Sequence, residues 1–374
     1  MIKKYLKSYV AIAFVIIFLL LLPKNFTEKI REGSVAATSP IYRGLSVHNQ
    51  DNLKEDLDHV KLENALLAGQ IQEVREYLIS EERLEEHFKK LEWIQSEKES
   101  KKFLKRREEL LLDRLNQQMR NVTAKVVYRE PAFWSSLFWI DVGHNDNQIL
   151  GYEVVASNSP VIVGNVVVGI VDYVGARQSR VRLITDASVC VSVRVLRGSE
   201  QNHLLLDHLN VLLDQFKFRE DLFFSHEEQQ NTLNILCHLH DNLKTSVHDR
   251  YLAKGELHGS SAPLWRSRLQ TLKGVGFNYD YADQEGGARD LRTGECLDKQ
   301  AGVMQEALLQ EGDLLVTTGM DGIFPEGFHV ALVEKVAPLE EGAIAYHLEA
   351  KSLILNFDEI RKVTILAPLR SPPF

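Results

Sequence analysis

With 374 residues, 44% of them apolar and 26% charged, the chain is long enough for two or three domains and has the composition of a folded protein. A net charge of −8 argues against a nucleic-acid partner for the chain as a whole. The three cysteines, Cys190, Cys237 and Cys296, form no disulfide framework, although a single bridge stays open. They match no zinc spacing either: Cys237, His238 and His240 stand close together without a second ligand pair, so no metal and no cofactor is expected.

The first element is an unbroken apolar run, Tyr9 to Leu22, preceded by Lys3, Lys4 and Lys7. It is shorter than the roughly 20 residues that cross a bilayer comfortably. Leu6 and Pro23 extend it, and lysine stems snorkel. A cleaved signal peptide has an apolar core of similar length, but needs small residues soon after it. Pro23 to Glu28 offers none, and Val35, Ala36 and Ala37 come too late. The expectation is an uncleaved transmembrane anchor at 9–22, a cytoplasmic tail at 1–8 and export of the rest. Lys24, Lys29 and Arg31 on the far side count against that orientation.

Residues 45–120 read as a coiled coil. Leu53, Val60, Leu67 and Val74 take d positions, and Leu57, Asn64, Ile71 and Leu78 take a positions. Such a narrow stripe is buried by a second helix, and one Asn at an a position favours a registered, parallel, two-stranded pairing. Asp56 faces Lys61 across that seam, and no flanking pair is repulsive. Leu62 and Leu66 lie off the stripe, which leaves packing within the chain's own domain as the alternative. The seam falters at Glu81 and Glu85 and resumes at Leu84, Phe88 and Leu91 in another phase. A wholly helical 45–120 would reach about 110 Å at 1.5 Å per residue, an upper bound.

From Thr123 the apolar period shortens to two. Val189, Val191, Val193 and Val195 share one strand face, and Cys190, Ser192 and Arg194 the other. Val181 and Leu183 alternate with Arg180 and Arg182. Half-buried strands of this kind build antiparallel sheets or small barrels. Gly151 to Ser157 with Gly164 to Val171 resembles Gly312 to Thr318 with Gly327 to Val333, each a glycine, a short apolar strand, a loop and an alternating strand. That weak repeat predicts two related β units, at 121–198 and 251–368. Between them, Leu205, Leu209, Leu212 and Phe216, then Leu233, Leu236, His240 and Leu243, recur at helical spacing, and 199–250 reads as a helical insertion. Residues 280–300, with Gly286, Gly287 and Gly294 among charges, read as a loop.

No nucleophile elbow, phosphate loop, dinucleotide fingerprint or His-Glu-x-x-His motif is present. His203, His208, His226 and His248 could partner Ser225 or Ser246, but no context selects a combination. The strongest short signal is Gly319-Met-Asp-Gly322-Ile323-Phe324-Pro325-Glu-Gly327. Its three glycines and proline specify a tight double turn, with Ile323 and Phe324 as apolar anchors. Such a turn is either a connection pinned to the core or a loop that binds a partner.

Here the chain resembles the MreC rod-shape-determining family. Val316 to Gly327 is similar to its Val-x-Ser/Thr-Gly…Gly-Ile/Val-Phe-Pro-x-Gly signature. Pro131, Trp134, Ile140, Asp141 and Gly143 resemble its first strands, and Ser179, Arg180, Val181, Leu183, Ile184, Thr185 and Asp186 its Ser-x-Val-x-Leu-Ile-Thr-Asp stretch. The likeness covers 1–198 and about 251–368, with 199–250 departing from it. It implies a single-pass inner-membrane protein with its bulk in the periplasm, and two barrels that are interleaved, strands in 343–367 closing the first. It also implies self-association and contact with MreB, MreD, RodA and a class B penicillin-binding transpeptidase.

The fold expected is therefore mainly β with a long N-terminal helix: one transmembrane helix, a coiled coil, then two small β-barrels with a helical insertion. The function expected is a non-enzymatic scaffold for formation and maintenance of cell shape. The alternatives are a periplasmic adaptor of an efflux or secretion system and an exported barrel-fold hydrolase. Adaptors flank a helical hairpin with split β domains, whereas here the helix precedes all the β. Leu67→Asp with Ile71→Asp should abolish the dimer, assembly beyond which is left open. Full dimer after cross-linking in membranes would overturn the seam.

Overall fold

The computed structural model describes residues 27–35, 38, 67, 119–129, 136–218, 226–244, 250–259, 271–279, 308–338, 343–354 and 356–369. The anchor at 9–22, the loop at 280–300 and the dimer seam other than Leu67 lie outside them; Leu67 is helical and exposed. Among the described residues no helix is long and apolar enough to cross a membrane.

The described strands form one sheet that closes on itself twice. In the first barrel, β1 (Asn121–Arg129) is flanked by β2 (Leu137–Ile140) and by the last described strand, β12 (Lys362–Leu366). The circuit continues through β3 (Pro160–Val163) and β4 (Val166–Val174) and is closed by β5 (Ser179–Leu183), which pairs with both β4 and β2. The second barrel runs through β6 (Cys190–Arg197), β7 (Arg250–His258), β8 (Thr271–Tyr279), β9 (Leu314–Thr317), β10 (His329–Val336) and β11 (Tyr346–Ser352). It closes where β11 pairs with β10 as well as β8. The two barrels share one parallel rung, His329 opposite Val166, where the His329 amide donates to the Asn165 carbonyl at 2.9 Å.

The alternation read from the sequence determines which face points inward. Val191, Val193 and Val195 of β6 are buried, while Cys190, Ser192 and Arg194 are half-exposed. Each buried valine contributes roughly 1.5–3 kcal/mol. In β7, Gly255 lets the ring of Phe277 from β8 lie directly on the backbone, since a Cβ there would sit 2.5 Å from Phe277 Cδ2. One continuous apolar cluster, from Phe138 and Val181 to Phe277 and Leu348, fills both interiors.

Three expectations are corrected. β6 lies within the range assigned to the first β unit but is a strand of the second barrel, and β12 (Lys362–Leu366) lies within the range assigned to the second but sits in the first, between β1 and β3. The interleaving that the resemblance implies is present, but of the two described strands in 343–367 it is β12 that joins the first barrel, while β11 belongs to the second. Alternation fixes a strand's buried face but says nothing of its neighbours, which are non-local here. The repeat also fails strand for strand. Gly151 to Ser157 contains no strand; Gly151, in the left-handed region at φ 76°, ends a short helix, α2 (His144–Leu150). α1 is the helix at 27–35. The backbone after α2 is held by side chains: Asn147 Oδ1 accepts from the Val154 and Val155 amides at 3.0 and 2.9 Å, and Ser159 Oγ donates to the Val154 carbonyl at 2.6 Å.

The insertion is a helical hairpin, α3 (Ser199–Phe218) and α4 (His226–Lys244). Its buried stripe on α3 is Leu206, Leu209 and Leu213, not the Leu205, Leu209, Leu212 and Phe216 row; Leu205 and Leu212 are exposed. On α4 the half-buried residues include Leu233, Leu236, His240 and Leu243, as the spacing suggested. Glu200 of α3 reaches His329 at the shared rung, Oε1 to Nε2 2.7 Å, and Gln201 Nε2 donates to the Gly312 carbonyl at 2.7 Å.

Ending the chain at Arg361 removes β12 and leaves β1 and β3 without their common neighbour. Hydrogen exchange should then show loss of protection across β1 and β3 with β7 and β8 protected; unchanged protection of β1 would overturn the closure.

Candidate interaction site at the glycine-rich turn

The turn at 319–327 sits along the edge of β6 that pairs with β9, just past Thr317. Gly319, Gly322 and Gly327 have φ of 74°, 68° and 96°, which L side chains rarely adopt, so the turn needs glycine at these points. Asp321 organises it. Its Oδ1 accepts from the Ile323 and Phe324 amides at 2.9 and 3.0 Å, and its Oδ2 accepts from the Ser192 amide of β6 at 3.1 Å. The Thr318 amide donates to the Ser192 carbonyl at 3.0 Å, and Arg194 pairs with Glu326. Below the turn, Thr317 Oγ1 donates to the Pro325 carbonyl at 2.5 Å and accepts from the Phe328 amide at 2.9 Å.

The apolar members divide accordingly. Phe324 and Pro325 are buried and Ile323 packs against the core from a half-buried position. Met320, at the tip, is 72% exposed. Of the turn's apolar side chains, it is therefore Met320 that a partner could reach, and sequence reasoning did not single it out. A hydrophobic residue between two left-handed glycines was the available signal.

Near the turn, on the outer face of the second barrel, Cys190 stands opposite His258 of β7. Cys190 Sγ lies 3.4 Å from Glu256 Oε2 and 3.8 Å from His258 Nε2. Burial, then the hydrogen bond and charge of Glu256, with the charge of Asp321, push the Cys190 thiol up to about 11. The Cys237, His238 and His240 group noted in the sequence does not converge: Cys237 is exposed, His238 meets Asn242, and His240 meets Asp241. His203 and His208 lie on α3 and His226 opens α4, while Ser225, Ser246 and His248 fall outside the described residues.

The Ser179-to-Asp186 stretch builds a second surface, on the first barrel. Arg180 Nε and Nη2 meet the two carboxylate oxygens of Asp172 at 2.9 and 3.1 Å, and Nη1 meets Glu28 of α1 at 2.8 Å. Burial works against the Arg180 charge, but Asp172 and Glu28 outweigh it and raise its pKa. Arg180 also lies 5.8 Å from the ring centres of Trp139 and Tyr173. Glu32 of α1 accepts from the Tyr173 hydroxyl at 3.1 Å and from the Ala176 amide at 2.9 Å. Burial first, then the Glu32 charge, raises the Tyr173 pKa. Val35 completes the contact by packing with Val127 and Trp139.

The family model for the rod shape-determining protein MreC, barrel core, matches residues 126–250 and 277–367. The match runs through 199–250, which the sequence reading had set apart from the family. No curated protein matches the chain. Among solved structures, MreC of Pseudomonas aeruginosa is 17% identical with a TM-score of 0.36, covering 66% of this chain and 98% of that one. MreC of Listeria monocytogenes is 17% identical with a TM-score of 0.40, covering 78% and 97%. The complex between penicillin-binding protein PBP2 and MreC from Helicobacter pylori matches at 11% identity and a TM-score of 0.34, covering 67% and 98%.

Asp321→Ala strips three amides of their acceptor, and water replaces it incompletely. The cost should be about 1–3 kcal/mol in urea unfolding, with loss of amide protection at Ser192, Ile323 and Phe324. Wild-type protection there would show that the carboxylate does not hold the turn.

Proposed function

The chain belongs to the MreC family of rod shape-determining proteins, and from that premise we propose that it is a non-enzymatic, membrane-anchored periplasmic scaffold. In this reading it organises peptidoglycan synthesis together with the MreB cytoskeleton. The observation that carries the reading is the family match over residues 126–250 and 277–367, which takes in strands of both closed barrels. The anchor at 9–22 would place the barrels outside the inner membrane, and the Leu53–Leu78 seam would pair them.

The partners proposed are those of the family: MreB, MreD, RodA, a class B penicillin-binding transpeptidase and a second copy of the chain. The surface offered to the transpeptidase is the tip of the 319–327 turn. There a rigid base, held by Asp321 and Thr317, presents Met320 outward. A pre-shaped loop with one exposed apolar residue loses little conformational freedom on binding, which favours affinity.

Full-length protein should co-purify with the host's class B transpeptidase from cross-linked membranes. Met320→Glu should cut that recovery by about tenfold while leaving thermal unfolding unchanged. Absence of the transpeptidase from the wild-type eluate would overturn the partner assignment, and undiminished recovery with Met320→Glu would overturn the surface.

A further inference from the structure

The outer face of the second barrel carries a donor set that the scaffold reading does not use. Cys190 and His258 are register partners on β6 and β7, and Glu256 lies two residues before His258 on the same face. A thiol, an imidazole and a carboxylate therefore converge from two neighbouring strands. The separations are 3.8 Å for Sγ to Nε2, 3.4 Å for Sγ to the carboxylate and 3.5 Å for Nε2 to the same carboxylate oxygen. A tetrahedral zinc ion, with bonds of about 2.3 Å to sulfur and 2.0–2.2 Å to nitrogen and oxygen, requires donor separations of about 3.4–3.6 Å. Each observed distance lies within about 0.2 Å of that range. Among the described residues this is the group of three His, Cys, Asp or Glu side chains placed to hold a metal ion.

We propose that Cys190, Glu256 and His258 form a Zn2+ site on the second barrel, with solvent water completing the tetrahedron. The chemistry of the donors selects the metal. Thiolate and imidazole favour borderline-soft ions over magnesium or calcium, which require oxygen. The backbone is already in place: both strands are locked in a closed barrel, so binding orders little beyond three side chains. Glu256 and the nearby Asp321 add negative charge that a divalent cation offsets. On binding, the Cys190 S–H bond breaks, its electron pair goes to the metal and the proton leaves to buffer. Bound zinc would tie β6 to β7 immediately beside the strand position, Ser192, on which the glycine-rich turn is held. The site thus stiffens the base of that turn without touching its tip.

The test uses full-length protein in detergent, stripped with chelator and reloaded with Zn2+ or Co2+ alone. One equivalent of Co2+ should give a tetrahedral spectrum with a thiolate-to-metal charge-transfer band. Cys190→Ser should abolish that band, and Cys237→Ser and Cys296→Ser should keep it. Zn2+ affinity, read by competition with a chelating dye, should fall at least about tenfold in Cys190→Ser and in His258→Ala. Thermal unfolding in chelator separates loss of the site from loss of the fold. If a variant unfolds, Zn2+ should still block alkylation of Cys190 in the wild-type chain, mapped by mass spectrometry. Absence of the charge-transfer band, its survival in Cys190→Ser, or alkylation of Cys190 unaffected by Zn2+ would overturn the site.

Discussion

Closure of a six-stranded sheet on itself is the constraint on which this molecule rests. An open sheet presents unpaired amides and carbonyls at its edges, and a closed one presents none. Each barrel meets the requirement with a strand that pairs twice: β5 with β2 and β4, and β11 with β8 and β10. The price in chain path is that the first barrel cannot be finished locally. It waits for β12, more than 170 residues after β5 ends at Leu183 and β12 begins at Lys362. Both barrels then share a single core cluster and one parallel rung at His329.

On that frame the remaining parts are attached by polar contacts at defined points. The glycine-rich turn is fastened to β6 through Asp321 and Thr318 on the Ser192 backbone and through Glu326 on Arg194. The helical hairpin reaches the junction of the barrels through Glu200. Asp313, almost fully buried at the start of β9, holds Arg197 at the end of β6 with both carboxylate oxygens, at 2.8 and 2.6 Å. α1 meets the first barrel through Glu28, Glu32 and Val35. In each case a carboxylate accepts from backbone amides, meets an arginine or, at Glu200, meets an imidazole nitrogen, which offsets the cost of removing it from water.

Much of the local structure was legible in the sequence and the long-range pairing was not. The two faces of β6 follow from alternation alone, because side chains on a strand point to opposite sides by geometry. The glycine-rich turn was legible because left-handed backbone demands glycine. The places of β6 and β12 were not, since pairing partners depend on tertiary closure. Nor was the loop after α2, where Asn147 substitutes a side chain for a strand neighbour and Val154 and Val155 are buried without a ladder. On α3 the buried stripe is one residue off because Leu204, Leu205 and Leu206 offer three adjacent choices, and packing against α4 and β6 decides among them. The cluster of Cys190, Glu256 and His258 was hidden by separations of 66 and 68 residues, which the strand register cancels.

The place of β12 also has a mechanical meaning. The chain leaves the second barrel at Ser352 and enters the first as β12, which is hydrogen-bonded on one side to β1 and on the other to β3. These antiparallel bonds lie across the strand. A pull directed along the axis of β12 would load both of its ladders in shear, all bonds together, rather than peel them one at a time. β12 acts as a key driven through the first barrel, so tension along it is resisted inside that barrel.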